Sequence, residues 1–280
     1  MSSASRLVFL LILGLIGPTP SCFSAEKVQI PEFWDQRRRI EKPDTSQIRQ
    51  IRFLTEDDFP PFHFAGPDGA LSGFEVDLAL ALCTELKIPC SIQATRWDGL
   101  NASLSQSRGD AIIAAMKITR EARSQFSFTS SYFRFPARFV GPRKPDMQDV
   151  SAGALAGRQV GAVAGSTHEA YLKEFFPRTI VVPMQDARSV LDAVQSGNVS
   201  LGFSDGVTAA FWLNGEASKD CCAFVGGPYT ESRYFGEGAG IAVRRDDARL
   251  LQALDWALYR IAADGTYARL YLKYFPIGVY

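Results

Sequence analysis

Gln159-Val160-Gly161-Ala162-Val163, then Gly165-Ser166-Thr167, then Tyr171 and Phe175 make up the stretch that decides the fold. The first five residues read as a buried strand. Gly165-Ser166-Thr167 then leads into a helix that runs through Tyr171 and Phe175, with Ser and Thr well placed to cap its start. A strand passing into a helix is half of the unit from which parallel sheets are built.

The unit recurs on both sides. Upstream, Ile51-Arg52-Phe53-Leu54 reads as a buried strand stopped by Pro60-Pro61, and Gly66-Pro67-Asp68-Gly69 reads as a turn. After Gly73 the apolar positions Phe74, Leu78, Ala81, Leu82 and Leu86 fall at helical spacing, with Glu75 and Asp77 favourable in the first turn. Pro89 ends that helix and Cys90-Ser91-Ile92 starts a strand. Trp97, Leu100 and Leu104 form a second helical stripe, closed by Arg108-Gly109, and 111–116 reads as a strand. Downstream, Val190, Leu191 and Val194 form another stripe, Gly197 closes it, and 199–203 reads as a strand. Residues 250–274 read as helical and are expected to return to the first half. This alternation predicts an α/β fold with mainly parallel sheets. Its presence on either side of Gly141-Pro142-Arg143-Lys144-Pro145 predicts two lobes joined by two hinge crossovers. The expected division is 1–24 signal peptide, 25–49 N-terminal arm, 50–141 with 233–280 lobe one, and 142–232 lobe two.

Arg6 followed by the apolar run 7–16 and by Gly17, Pro18 and Pro20 has the form of a secretory signal, with cleavage expected after Ser24 or Ala25. The run is about half the length of a membrane-spanning helix, which argues against an uncleaved anchor. Thr19-Pro20-Ser21 is a poor lead-in for lipidation at Cys22. A periplasmic location follows. In that oxidising compartment Cys83 and Cys90, seven residues apart, are expected to form a disulfide, against the alternative of two buried thiols. Adjacent Cys221 and Cys222 are read as a strained bridge or as two thiols. With 30 basic and 30 acidic residues the chain carries no net charge. That balance argues against nucleic acid or an anionic membrane as partner.

His63 and His168 are the only histidines, and no metal-ligand spacing, nucleophile elbow, phosphate loop or dinucleotide glycine pattern occurs. Neither a cofactor nor a catalytic residue is expected. A binding site fares better, because ligands of such sheets sit beyond the carboxyl ends of the strands. A zwitterion needs a cation and N–H donors for its carboxylate and an acid for its ammonium. Asp205, just past a strand, suits the ammonium or simply caps the next helix. Gly165-Ser166-Thr167 suits an anion or is an ordinary cap. Phe59 and Trp97 read as aromatic walls or as core. Lys117 and Arg123 read as the cation or as solvated charges.

Together these residues resemble the bacterial extracellular solute-binding proteins of the polar amino-acid type (family 3), over Ile51 to Pro276. The resemblance is carried by Leu71-Ser-Gly-Phe-Glu-Val-Asp77-Leu, Gly109-Asp-Ala-Ile, Ile118-Thr-Arg-Glu with Phe128-Thr-Ser-Ser-Tyr132, and Gly165-Ser-Thr-His-Glu-Ala-Tyr171. Asp264-Gly-Thr-Tyr267 with Lys273-Tyr-Phe-Pro276 adds to it. It implies a two-lobed periplasmic-binding-protein fold of type II and a monomeric receptor that hands a small polar solute to an ABC permease. The Cys83/Cys90 spacing is similar to the bridge in members that bind basic amino acids. The resemblance further implies that Asp205 meets the ammonium, Phe59 and Trp97 form walls with Glu56 beside the first, and Thr167 meets the carboxylate. Ala115 and Lys117 supply strand-end contacts. One departure stands out: the family's carboxylate-binding arginine falls on Ala122. Arg123 after a one-residue shift is the preferred substitute; Lys117 as a point charge, or a ligand other than an α-amino acid, are the alternatives. Two other functions are weighed: an enzyme on the same scaffold, of cyclohexadienyl-dehydratase type using Glu56, Lys117 or His168, and a ligand-sensing subunit contacting partners through the arm.

Overall fold

The computed structural model describes residues 28, 30, 31, 34, 40–143, 149–275 and 278–280. The signal segment, Phe33, the basic run 37–39, Lys144, Pro145 and Pro276 lie outside them.

Lobe one begins with β1 (Ile51–Thr55), followed by the small strands β2 (Asp58–Phe59), β3 (His63–Ala65) and β4 (Leu71–Ser72). Helix α1 (Phe74–Leu86), β5 (Cys90–Ala94), α2 (Trp97–Ser105), β6 (Ala111–Ile112), α3 (Arg120–Gln125) and β7 (Phe126–Phe128) follow. Lobe two comprises β8 (Ala137–Pro142), β9 (Gln159–Val163), α4 (Thr167–Phe175), β10 (Ile180–Met184), α5 (Ala187–Gln195), β11 (Leu201–Asp205), α6 (Gly206–Asn214) and β12 (Cys222–Tyr229). After α7 (Ser232–Phe235) the chain supplies β13 (Ala242–Arg244), α8 (Ala248–Ala263) and α9 (Thr266–Tyr274).

The two five-stranded sheets have one topology. Their orders are β5-β1-β6-β13-β7 and β10-β9-β11-β8-β12. In each, three strands run parallel and the fourth runs antiparallel to its neighbours. That fourth strand is the one arriving from the other lobe: β13 enters the first sheet and β8 the second. The chain therefore crosses between lobes through 129–136 and again through 230–241. Strand β8 lies in the second sheet by its pairing with β11 and β12, upstream of the boundary read at 141/142.

The crossovers are hydrogen-bonded to each other. Ala239 N–H donates to Phe133 O at 2.7 Å and Tyr132 N–H to Ala239 O at 2.9 Å. Gly238 permits this approach: its φ is +103°, and a Cβ there would sit 2.3 Å from Phe133 O.

Helix α1 buries Phe74, Leu78, Leu82 and Leu86 in the lobe-one core, together with Leu254, Leu258, Ile261, Tyr267 and Tyr271 of α8 and α9. The C-terminal helices thus belong to lobe one, as their spacing suggests. Gly73 precedes α1 at φ +131°, where a Cβ would meet Phe62 O at 2.3 Å. Arm residues Val28, Ile30, Trp34, Ile40 and Ile48 pack on this core, and the Trp34 ring meets Tyr267 edge-on at 5.0 Å. Cys83 and Cys90 are bridged, tying α1 to β5. Cys221 and Cys222 are bridged as well.

The strand expected over 111–116 ends at Ile112. The physical reason is Ala115, whose φ of +48° lies in the left-handed region and is incompatible with a strand. Trp97 is the first residue of α2 but 54% exposed, so Leu100 and Leu104, with Ser103, carry that helix's buried stripe.

Candidate functional site

The carboxyl ends of β1, β5 and β6 present one set of groups. Glu56 follows β1 directly and opens an acidic run with Asp57 and Asp58. Burial, then repulsion from Asp58, pushes the Glu56 carboxyl above its ordinary range, while the Trp97 backbone N–H pulls the other way. Glu56 and the start of α2 are therefore neighbours. Phe59 is 44% exposed, stacks on buried Phe62 with centroids 5.2 Å apart, and lies 5.6 Å from the His63 ring. Phe59 and Trp97 thus leave much of their rings uncovered, as pocket walls do and core residues do not.

At the end of β6, Ala115 N–H donates to Glu75 Oε1 at 2.7 Å. Two residues on, Lys117 forms an antiparallel bridge with Ala239 of the return crossover, and its Nζ lies 5.6 Å from the Phe135 ring centroid, within cation–π range. Arg123 is engaged elsewhere: its guanidinium donates to Glu237 at 2.6 Å. Ala122 packs against the apolar side of the sheet, and its N–H donates to the Thr119 hydroxyl that caps α3.

Lobe two supplies helix starts. Ser166 caps α4 by accepting from Glu169 N–H at 3.2 Å, which leaves Thr167 as an exposed first-turn hydroxyl. Asp205 caps α6 through Oδ1, which accepts from Thr208 N–H at 2.8 Å. One oxygen suffices for a cap, so this carboxylate has an oxygen beyond that need.

His168 connects the two sets. It is half-buried against Phe203 and Phe235 (centroids 5.8 and 5.3 Å), and burial lowers its proton affinity. Asp205 raises that affinity and Lys117 lowers it. Lys117 of lobe one and Asp205 of lobe two therefore both act on one imidazole. Of the residues singled out from the sequence, Glu56, Phe59 and Trp97 lie on lobe one, and Lys117 and Asp205, from different lobes, both act on the charge of His168. Thr167 sits beside His168. Arg123 pairs with Glu237 on the return crossover.

Sequence reading missed one group of residues here. His63, Glu75 and Tyr132 are buried and linked through the Glu75 carboxylate. In the sequence Glu75 is only a first-turn acid, and nothing local pairs it with partners 12, 40 and 57 residues away. Among the described residues, no group of three or more His, Cys, Asp or Glu side chains gathers as a metal site would require.

Two lobes of parallel-sheet topology, a double crossover and facing polar strand ends define a hinged solute-binding architecture. The pattern of bacterial extracellular solute-binding proteins, family 3, matches residues 51–277, and the chain belongs to that family. The L-arginine-binding protein of Pseudomonas aeruginosa is 36% identical over 248 residues, spanning 85% of this chain and 92% of that protein. The histidine-binding periplasmic protein of Salmonella typhimurium is 32% identical over 235 residues, 83% of this chain and 90% of that one. The unliganded, open L-cystine solute receptor of Neisseria gonorrhoeae superposes with a TM-score of 0.72 over 82% of this chain and 94% of its own, at 19% identity; it shares the fold.

Proposed function

We propose that this chain is an exported, monomeric receptor that binds an amino acid with a cationic side chain and delivers it unchanged to an ABC importer. One observation carries the side-chain class: Glu56, with Asp57 and Asp58 following, is hydrogen-bonded to the Trp97 backbone at the end of β1, and both Trp97 and Phe59, close by in sequence to Glu56, are about half exposed. A guanidinium or ammonium lying against those rings gains cation–π attraction and a carboxylate partner together. A cation there also offsets the burial, and the weaker repulsion from Asp58, that hold the Glu56 carboxyl up. The similarity to proteins named for arginine and histidine binding supports the same class.

The zwitterionic end falls to the other groups. Asp205 takes the ammonium through its second oxygen, and Thr167 with the α4 start takes the carboxylate. Lys117 supplies the cation that Ala122 cannot, because the Arg123 guanidinium is committed to Glu237. Closure about the paired crossovers then presents a compact form to the permease. The test is isothermal calorimetry of the mature protein with L-arginine, L-lysine, L-histidine, L-glutamine and L-glutamate, followed by mass spectrometry of the recovered solute. Tightest binding of a cationic amino acid, recovered intact, is expected. A preference for glutamate, or recovery of a product, overturns the reading.

A further inference from the structure

Glu75 is the second residue of α1 and is fully buried. A buried carboxylate is costly unless donors surround it, and three do. Ala115 N–H and the Tyr132 hydroxyl donate to Oε1, and His63 Nδ1 lies 2.6 Å from Oε2. The ring and the carboxyl thus share one hydrogen bond through Nδ1 and Oε2. The start of α1 adds favourable dipole ends. Burial, then the neighbouring carboxylate, pushes the Tyr132 phenol well above its usual range, which keeps that hydroxyl a donor.

These donors come from distant pieces of the lobe. His63 lies on β3, Tyr132 on the first crossover and Ala115 at the end of β6. Ala115 is also strained in its backbone, since a side chain with a Cβ disfavours φ +48°. A left-handed alanine persists only where its surroundings over-determine it. The 2.7 Å bond to Glu75 is the contact that holds its N–H.

We propose that Glu75 is a positioning residue for solute binding. By holding the Ala115 N–H it fixes the left-handed turn that orients the strand-end backbone and Lys117 toward the solute, while His63 and Tyr132 hold the carboxylate in place. The inference rests on the proposed role of the β6 end in meeting the solute.

The experiment compares Glu75→Gln, Ala115→Gly, the double variant and Tyr132→Phe. L-arginine affinity is measured by calorimetry, and exchange of the Ala115 amide by NMR without ligand. Glu75→Gln should weaken L-arginine binding about tenfold, the worth of one charge-assisted bond. It should also speed exchange at residue 115 by about tenfold relative to other lobe-one amides. Glycine adopts φ +48° without strain, so Ala115→Gly added to Glu75→Gln should restore affinity to within about threefold of the parent. A purely structural role for Glu75 predicts no such rescue. If Glu75→Gln fails to fold, Tyr132→Phe carries the test, with about threefold weaker binding and faster exchange at Ala115 expected. Unchanged exchange overturns the proposal and leaves the site reading intact. Faster exchange with unchanged affinity overturns it through the site reading beneath it, and loss of affinity without glycine rescue overturns it as well.

Discussion

The two lobes share a strand order, yet their cleft ends are fixed by different means. In lobe two each positioned group is a local cap. Ser166 closes on Glu169, Asp186 on Ser189 and Asp205 on Thr208, each three residues ahead. In lobe one, Thr119 caps the short α3 in the same way, but α1 and α2 begin at Gly73 and Arg96 without any side-chain cap. The cleft end is held instead by Glu75, which spans 40 residues to reach Ala115. A local cap forms with its own helix, whereas a buried carboxylate with distant donors exists only once the whole lobe has assembled. Lobe two should therefore tolerate changes outside its caps, and lobe one should feel changes anywhere around its network.

The largest effect should come from Asp205, where cap and proposed ligand contact coincide. Asparagine caps as well as aspartate, so Asp205→Asn should leave the melting temperature within a few degrees of the parent. It removes the charge that meets the ammonium, and L-arginine affinity should fall about a hundredfold, the scale of a charged hydrogen bond. Asp205→Ala should lose as much affinity and about 1 kcal/mol of stability besides. Wild-type affinity in the asparagine variant would break the comparison, because the lobe-two cap would then be a cap and nothing more.

Next in size is the Cys83–Cys90 bridge, which closes a short loop between α1 and β5. Replacing both cysteines by serine should cost about 2–3 kcal/mol by the chain-entropy relation for a loop of this length. Urea unfolding measures the loss. Hydrogen exchange should place it in lobe one, while lobe two, bridged only between the adjacent Cys221 and Cys222, keeps its protection. Equal deprotection of both lobes would show that they unfold as one unit. Smaller again is Ser166→Ala, which should cost lobe two about 1 kcal/mol through the lost α4 cap.

The same division explains what the sequence disclosed. Gln159–Val163 appears as a strand at the residues its pattern marks, and Thr167–Phe175 as the helix behind it, because both signals are local. The α1 stripe from Phe74 to Leu86 is equally plain. The apolar run over 111–116 continues past the strand, which ends at Ile112, and its continuation to 116 is barred by the left-handed Ala115, held by a bond from elsewhere. The pairing of Arg123 with Glu237, 114 residues on, leaves no trace in local spacing. Trp97 was ambiguous between wall and core; its exposure is set by what the rest of the lobe leaves uncovered.

His168 offers the finest probe of how the lobes face each other, since groups from both act on it. Burial depresses its proton affinity in the folded state below that of the unfolded chain. The folded protein therefore binds fewer protons as pH falls through the ordinary histidine range near 6.5. The stabilising contribution is present above the unfolded value and is lost as pH drops toward the lower folded one. His168→Asn should flatten that part of the stability profile, read from melting temperatures between about pH 7.5 and 5. The cross-lobe term is then isolated by NMR titration of the imidazole. Lys117→Met removes a cation that disfavours protonation and should move the midpoint up, whereas Asp205→Asn should move it down. A Lys117 variant with an unmoved midpoint would mean that the lysine of lobe one does not share a cleft with the histidine of lobe two. The assignment of Lys117 to the solute's anionic end would fall with it.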